Sequence, residues 1–270
     1  MIVLHPPAKV ATTSVHVTAD LPGVAGPMIA EAIARTIRKH GRCRLGLSGG
    51  STPASTFAWL RANLPPSTYG QLWVTWIDER NVPLLATAEG GSSQAQPGDW
   101  QAFSPDSNLH LAYTHWLAHV PMPPQQVLPM SLGGALTDEV LRFGRAFLDA
   151  FGGGLDVTVL GAGPDGHIAS IFPDHPAMAV DDVCLGVHDS PKPPAERVTL
   201  TLPVLRRSTY TFLLATGAAK ADVLLRAWHG DDTLPLGRLQ PEGDAHWILD
   251  PQAAAAIARE TLDTLLNHSP

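Results

Sequence analysis

Apolar positions along this chain alternate between two spacings. Between Pro27 and His40, Met28, Ile29, Ala32, Ile33 and Ile37 recur on one face and Gly41 follows as a stop, which predicts a helix. Cys43–Leu47 then packs its apolar residues into a short run, as do Leu72–Ile77, Leu155–Leu160, Val198–Leu202, Tyr210–Ala215 and Trp247–Leu249. Short β-branched or aromatic runs bounded by glycine, proline or charge predict strands. Helical spacing returns over Thr56–Leu64, Thr137–Phe151, the segment from Gly217 toward Trp228, and from Asp250-Pro251 through Leu266. Thr52 is the expected N-cap of the second helix, with Pro53 at its first position. Strands and helices alternating from end to end predict an α/β fold, a mostly parallel sheet with helices on both faces. The whole chain, 1–270, reads as a single such domain.

Polar positions add a second pattern at the strand ends. Ser48-Gly49-Gly50-Ser51-Thr52, Asp78-Glu79-Arg80, Gly161 to His167 and Gly217 to Lys220 each follow a predicted strand. If those strands are parallel, the four turns share one edge of the sheet, where α/β proteins place their ligands. The first combines free backbone amides with a helix start, an arrangement suited to an anion. Lys220 near another helix start sits against the dipole, a conflict that a bound anion would relieve. In the third, Asp165 and His167 flank Gly166, and an apolar segment that could be helical follows. Gly161, Gly163 and Gly166 also match G-x-G-x-x-G, but Asp165 would place a carboxylate where a pyrophosphate must lie, and no second nucleotide-binding half is visible.

The stretch Ala86–Asp106 turns to Gly, Ser, Gln, Pro and Asp and reads as a flexible polar insertion. Its place beside Asp78-Glu79-Arg80 suggests a lid. Val120–Pro129 is a proline-rich connector, and His188–Arg197 is a proline-stiffened loop carrying Lys192 and Arg197.

Composition narrows the partners. A net charge of −7 argues against a nucleic-acid surface, and no long uncharged apolar run suits a membrane span. A small anionic ligand needs only local cations and amides. The two cysteines, Cys43 and Cys184, are expected as free thiols in a reducing cytoplasm, and the N-terminus lacks a secretion signal. No G-x-S-x-G elbow and no metal-ligand spacing occurs, so neither a serine nucleophile nor a metal is expected. His167, with a near-neutral reference pKa, is the candidate general acid or base, and Asp165 in the same turn is placed to orient or polarise it.

Taken in order, SGGSTP (48–53), DERNVP (78–83), Ser107-Asn108, GAGPDGHIASIFP (161–173), SPKPPAERVTL (190–200) and G-A-A-K (217–220) resemble the glucosamine-6-phosphate isomerase/6-phosphogluconolactonase family, on its lactonase side. The resemblance implies a sugar-phosphate isomerase-like α/β fold. It implies cofactor-free hydrolysis of 6-phospho-D-glucono-1,5-lactone in the pentose phosphate pathway, by a monomer or small homo-oligomer. His167 and Asp165 would be catalytic. Phosphate would lie against Gly49, Gly50 and Ser51 with Arg80 and Lys220 supplying charge, and Ser48, Asp78, Asn108 and Arg197 would complete the substrate-binding set. Two positions depart from the pattern: Ile168 stands where threonine is usual, and the insertion separates DERNVP from Ser107-Asn108. The rival within the family is a glucosamine-6-phosphate deaminase, but its motif glutamate falls at Phe172 and its tyrosine at Arg80. A non-catalytic sugar-phosphate effector domain is the other alternative, with no helix-turn-helix segment or basic face to accompany it.

Overall fold

The computed structural model describes residues 2–4, 13–85 and 100–267. Its strands are β1 (Ile2–Leu4), β2 (Thr13–Val17), β3 (Cys43–Leu47), β4 (Leu72–Trp76), β5 (Asp78–Arg80), β6 (Val157–Gly161), β7 (Cys184–Val187), β8 (Arg197–Leu200), β9 (Tyr210–Ala215) and β10 (Asp244–Leu249). Its helices are α1 (Leu21–His40), α2 (Ser51–Asn63), α3 (Asn108–His115), α4 (Leu136–Phe151), α5 (Leu202–Arg206), α6 (Ala221–Trp228), α7 (Pro235–Leu239) and α8 (Ala255–Asn267).

Seven strands form the main sheet in the order β1-β2-β10-β9-β6-β3-β4. Every pairing is parallel except that of β1 with β2. Central strands are largely apolar because a parallel sheet is covered on both faces; Val157, Val159 and Leu160 of β6 are fully buried. From β3 the chain steps to β4 on one side and later to β6 on the other. The carboxyl ends of β3 and β6 therefore flank a point where the strand order reverses, the crevice in which open α/β sheets bind ligands.

Several boundaries differ from the sequence reading for identifiable reasons. α1 begins at Leu21, before Pro27, because the Asp20 side chain accepts from Gly23 N at 3.0 Å and caps an earlier turn. α2 begins at Ser51 behind Gly50 (φ 93°), so Thr52 lies inside the helix and is not its cap. The run after His167 is not helical: Ala169 takes φ 50°, and Ile168 and Ile171 pair across an antiparallel bridge. The predicted strand at Val198–Leu202 runs over Arg197–Leu200 and leaves the main sheet, forming the middle of an antiparallel sheet, β5-β8-β7. Asp250 does cap the chain after β10, accepting from Ala253 N at 2.7 Å, but regular helix starts only at Ala255.

Of the expected insertion, residues 86–99 lie outside the described residues. At its end Trp100 and Phe103 are buried with their rings in contact. Among the described residues no helix is long and apolar enough to cross a membrane. Cys43 and Cys184 are both buried free thiols.

Candidate active site

The turns after β3, β6 and β9 meet around one open cleft of about 410 Å³, and Asp78–Arg80, expected as a fourth turn, reaches it instead as strand β5 of the second sheet. Ser48, Gly49, Gly50, Ser51, Asp78, Arg80, Asn108, His167, Arg197 and Lys220 all line it, and Asp165 stands behind His167.

One end of the cleft is a histidine–carboxylate pair. The turn after β6 closes through Gly166 N to Gly163 O (3.0 Å) and Gly163 N to His167 O (2.9 Å), with Gly166 at φ 82°. This folds Asp165 back on His167, whose Nδ1 lies 2.5 Å from Asp165 Oδ1. Gly163 has to be glycine here, since a β-carbon would fall 2.0 Å from His167 Nδ1. With the Nδ1 proton donated to Asp165, Nε2 keeps its lone pair for a proton acceptor's role. Phe172 packs on the imidazole at 4.9 Å between ring centroids. Burial holds the His167 pKa below its usual value, against the opposing pull of Asp165; Lys192 adds to the lowering.

The other end is built for an anion. Gly50, at positive φ, turns the chain into α2 without any side-chain cap, so the first amides of a 13-residue helix face the cleft unclaimed. Gly49 packs against Asn108, where a β-carbon would lie 1.8 Å from Oδ1. Gly217 repeats the device after β9 with φ 93°, its N–H donating to the Asp250 carboxylate at 3.0 Å. Lys220 follows, and burial lowers its pKa while Asp250 opposes the shift. Arg80 reaches the cleft from β5, with its Nη1 donating to the Asp106 carbonyl.

Behind these groups lies a buried scaffold. Asp78 accepts from Ser170 Oγ at 2.7 Å and stands 3.9 Å from Arg197 Nη1. Asn108 Nδ2 donates to the Asp78 carbonyl at 2.8 Å. Glu79 points away from the cleft and receives four bonds, from Arg80 N, Ser107 Oγ, Asn108 N and Leu109 N. It thereby pins the start of α3 to β5. Arg197 spends Nε and Nη2 on the carbonyls of Lys192, Pro193 and Pro194, so most of its guanidinium holds a loop rather than facing the cleft.

Lys192, Phe172 and Ser170 belong to this arrangement although the sequence reading did not include them in the site. Lys192 carried a signal, a cation within a proline-stiffened loop; Ser170, inside an apolar run, carried none. Among the described residues no group of three or more His, Cys, Asp or Glu side chains is arranged to hold a metal ion.

The chain matches the family model for glucosamine-6-phosphate isomerases/6-phosphogluconolactonase over residues 18–89 and 101–247. It is 34% identical over 234 residues to a 6-phosphogluconolactonase of Rattus norvegicus, covering 81% of this chain and 82% of the relative. It is 32% identical over 250 residues to that of Mycobacterium tuberculosis, covering 88% and 94%. The crystal structure of 6-phosphogluconolactonase from Thermotoga maritima shares the fold, with a TM-score of 0.76 at 22% identity over 88% of this chain and 99% of that one. The architecture is thus the sugar-phosphate isomerase-like α/β fold. By its family model and by the identity and coverage of its relatives, this chain belongs to the glucosamine-6-phosphate isomerase/6-phosphogluconolactonase family.

Proposed function

We propose that this protein is a lactonase that hydrolyses 6-phospho-D-glucono-1,5-lactone to 6-phospho-D-gluconate, the ring-opening step of the oxidative pentose phosphate pathway. The observation that carries this reading is the Asp165–His167 pair at one end of a cleft whose other end is an uncapped helix start flanked by Arg80 and Lys220. The relatives named 6-phosphogluconolactonase support it.

A δ-lactone is an activated ester, so a positioned water and a base suffice. His167 Nε2 takes a proton as the water oxygen attacks the lactone carbonyl carbon. The tetrahedral intermediate collapses by breaking the bond from that carbon to the ring oxygen. The imidazolium returns its proton to the departing oxygen, which becomes a hydroxyl, and the histidine ends neutral. Asp165 holds the ring and stabilises the transient cation. Phosphate lies against the amides of Gly49, Gly50 and Ser51, with Arg80 and Lys220 as counter-charges; arginine can bind it bidentately and lysine acts as a point charge. Asp78, Asn108 and Ser48 frame the sugar between the two ends. No cofactor takes part in this scheme. Phe172, against the imidazole, occupies the position of the deaminase motif's glutamate, which favours ring opening by water over deamination.

The ligand is a small phosphorylated lactone, and nothing in the scheme calls for nucleic acid, membrane or a second protein. Every group it uses comes from one copy of the chain, which suits a monomer or small homo-oligomer. The two buried free thiols suit a reducing compartment, the cytoplasm.

His167→Ala should lower kcat by about 10²–10⁴-fold with little change in KM, since phosphate is held elsewhere. His167→Gln, which can bond water but not take its proton, should be nearly as inactive. Near-normal turnover in either variant would remove His167 from the mechanism.

A further inference from the structure

Lys192 lies on the loop between β7 and β8, and its ammonium is the charged group of that loop nearest the base. Its Nζ stands 3.5 Å from His167 Nδ1, on the side of the ring that Asp165 also faces. With the Nδ1 proton donated to Asp165, the ammonium has no lone pair to meet there, and the contact acts through charge. The loop is not free to carry the lysine elsewhere. Arg197, only 6% exposed, holds the carbonyls of Lys192, Pro193 and Pro194 at 2.8–3.1 Å. Ser190 Oγ donates to the Lys192 carbonyl at 2.9 Å and Ser190 N to Ala195 O at 3.1 Å. Arg197 in turn leans on Asp78, so buried charge on β5 and β8 fixes where an exposed side chain begins.

We propose that Lys192 is a positioning residue for the general base: held beside the imidazole by the Arg197-braced loop, its charge adds to burial in keeping His167 neutral, while Asp165 keeps the ring proton on Nδ1. This rests on the lactonase reading of the same cleft and adds to it the group that offsets Asp165. A carboxylate 2.5 Å from an imidazole stabilises the imidazolium, which is useful after proton abstraction but ruinous before it. A neighbouring ammonium restores the balance. The charges facing His167 are Asp165 from its own turn, Asp78 from β5, and Lys192 from the braced loop; Arg197 lies beyond Asp78 and Lys220 across the cleft. Asp165 and Asp78 favour the protonated ring, and Lys192 opposes them.

The test titrates His167 directly, in substrate-free ¹⁵N-labelled protein, by long-range ¹H–¹⁵N correlation of the imidazole nitrogens. The signal is the one missing from His167→Gln, which separates it from the other eleven of the chain's 12 histidines. Lys192→Met keeps the chain length and removes the charge; Lys192→Arg keeps the charge. Coulomb interaction at this distance, largely screened because Lys192 is exposed, predicts that Lys192→Met raises the His167 midpoint by about 0.5–1 pH unit. Lys192→Arg should stay near wild type, and added salt should shrink the difference. The acid limb of kcat/KM should move up with the midpoint in Lys192→Met, the loss of activity fading above it. An unmoved midpoint would overturn the proposal, and an unmoved midpoint with a raised KM would make Lys192 a phosphate ligand instead. Failure of the wild type to open the lactone would overturn the lactonase reading and leave the titration to be judged by itself.

Discussion

Glu79 shows what a single residue contributes without entering the cleft. Its carboxylate oxygens each take two bonds, Oε1 from Arg80 N and Asn108 N, Oε2 from Ser107 Oγ and Leu109 N. Burial pushes its pKa up to about 7 in spite of those four donors. A carboxyl whose folded pKa exceeds its unfolded one favours folding below the unfolded value and loses that contribution as pH rises through the folded one. Glu79→Gln would set an amide NH₂ against two donors, an arrangement costing about 1–3 kcal/mol for each group left unpaired. The variant should therefore be less stable than wild type, by more at pH 5 than at pH 8, as read from urea unfolding at both. A gap that widened with pH would mean that the ionised form is the one folding prefers. For His167 the shift is downward, so the base stays neutral to below its usual value and the acid limb of kcat/KM should lie below about 6.5.

Element ends do most of the site's assembly. α2 starts uncapped behind Gly50, α3 starts on Glu79, and the short helical turn at Ala218–Lys220 follows Gly217. Arg80→Ala and Lys220→Ala should each raise KM for the phosphorylated lactone, at about 1.5–3 kcal/mol for a charge-assisted bond lost. Neither should matter much for unphosphorylated gluconolactone; equal losses on both substrates would place these side chains at the lactone end. Glycine and charge at strand ends made these turns legible in the sequence, because few residues tolerate φ near 90° or close approach to a carboxylate. The short apolar runs of β3, β4, β6 and β9, bounded by glycine or charge, were legible for a similarly local reason. What escaped reading depends on distant partners. Arg197–Leu200 has the pattern of any buried strand, and only its pairing with Asp78–Arg80 places it in the second sheet. The eight residues of α3 are too short and mixed to show a helical period, and Glu79 stabilises them from 28 or more positions away. Thr52 had the chemistry of a cap but lost the place to Gly50. The direction of the Arg197 guanidinium, toward three loop carbonyls, has no signal in its own sequence.

At the scale of the whole molecule, the parallel sheet sets the carboxyl ends of β3, β6 and β9 side by side, with β5 crossing beside them. That single edge brings residues from 48 to 220 into one cleft with an anion end and a base end. The family holds both lactone hydrolysis and hexosamine phosphate isomerisation on this frame, and the choice between them rests on what surrounds His167. Here Asp165, Lys192 and Phe172 surround it. The most direct measurement offers purified protein freshly generated 6-phosphogluconolactone, corrected for spontaneous opening, beside a parallel sample of glucosamine 6-phosphate assayed for ammonia. Rapid opening of the lactone with no ammonia released is the result predicted. Ammonia release at a comparable rate, or lactone opening no faster than in buffer, would contradict it.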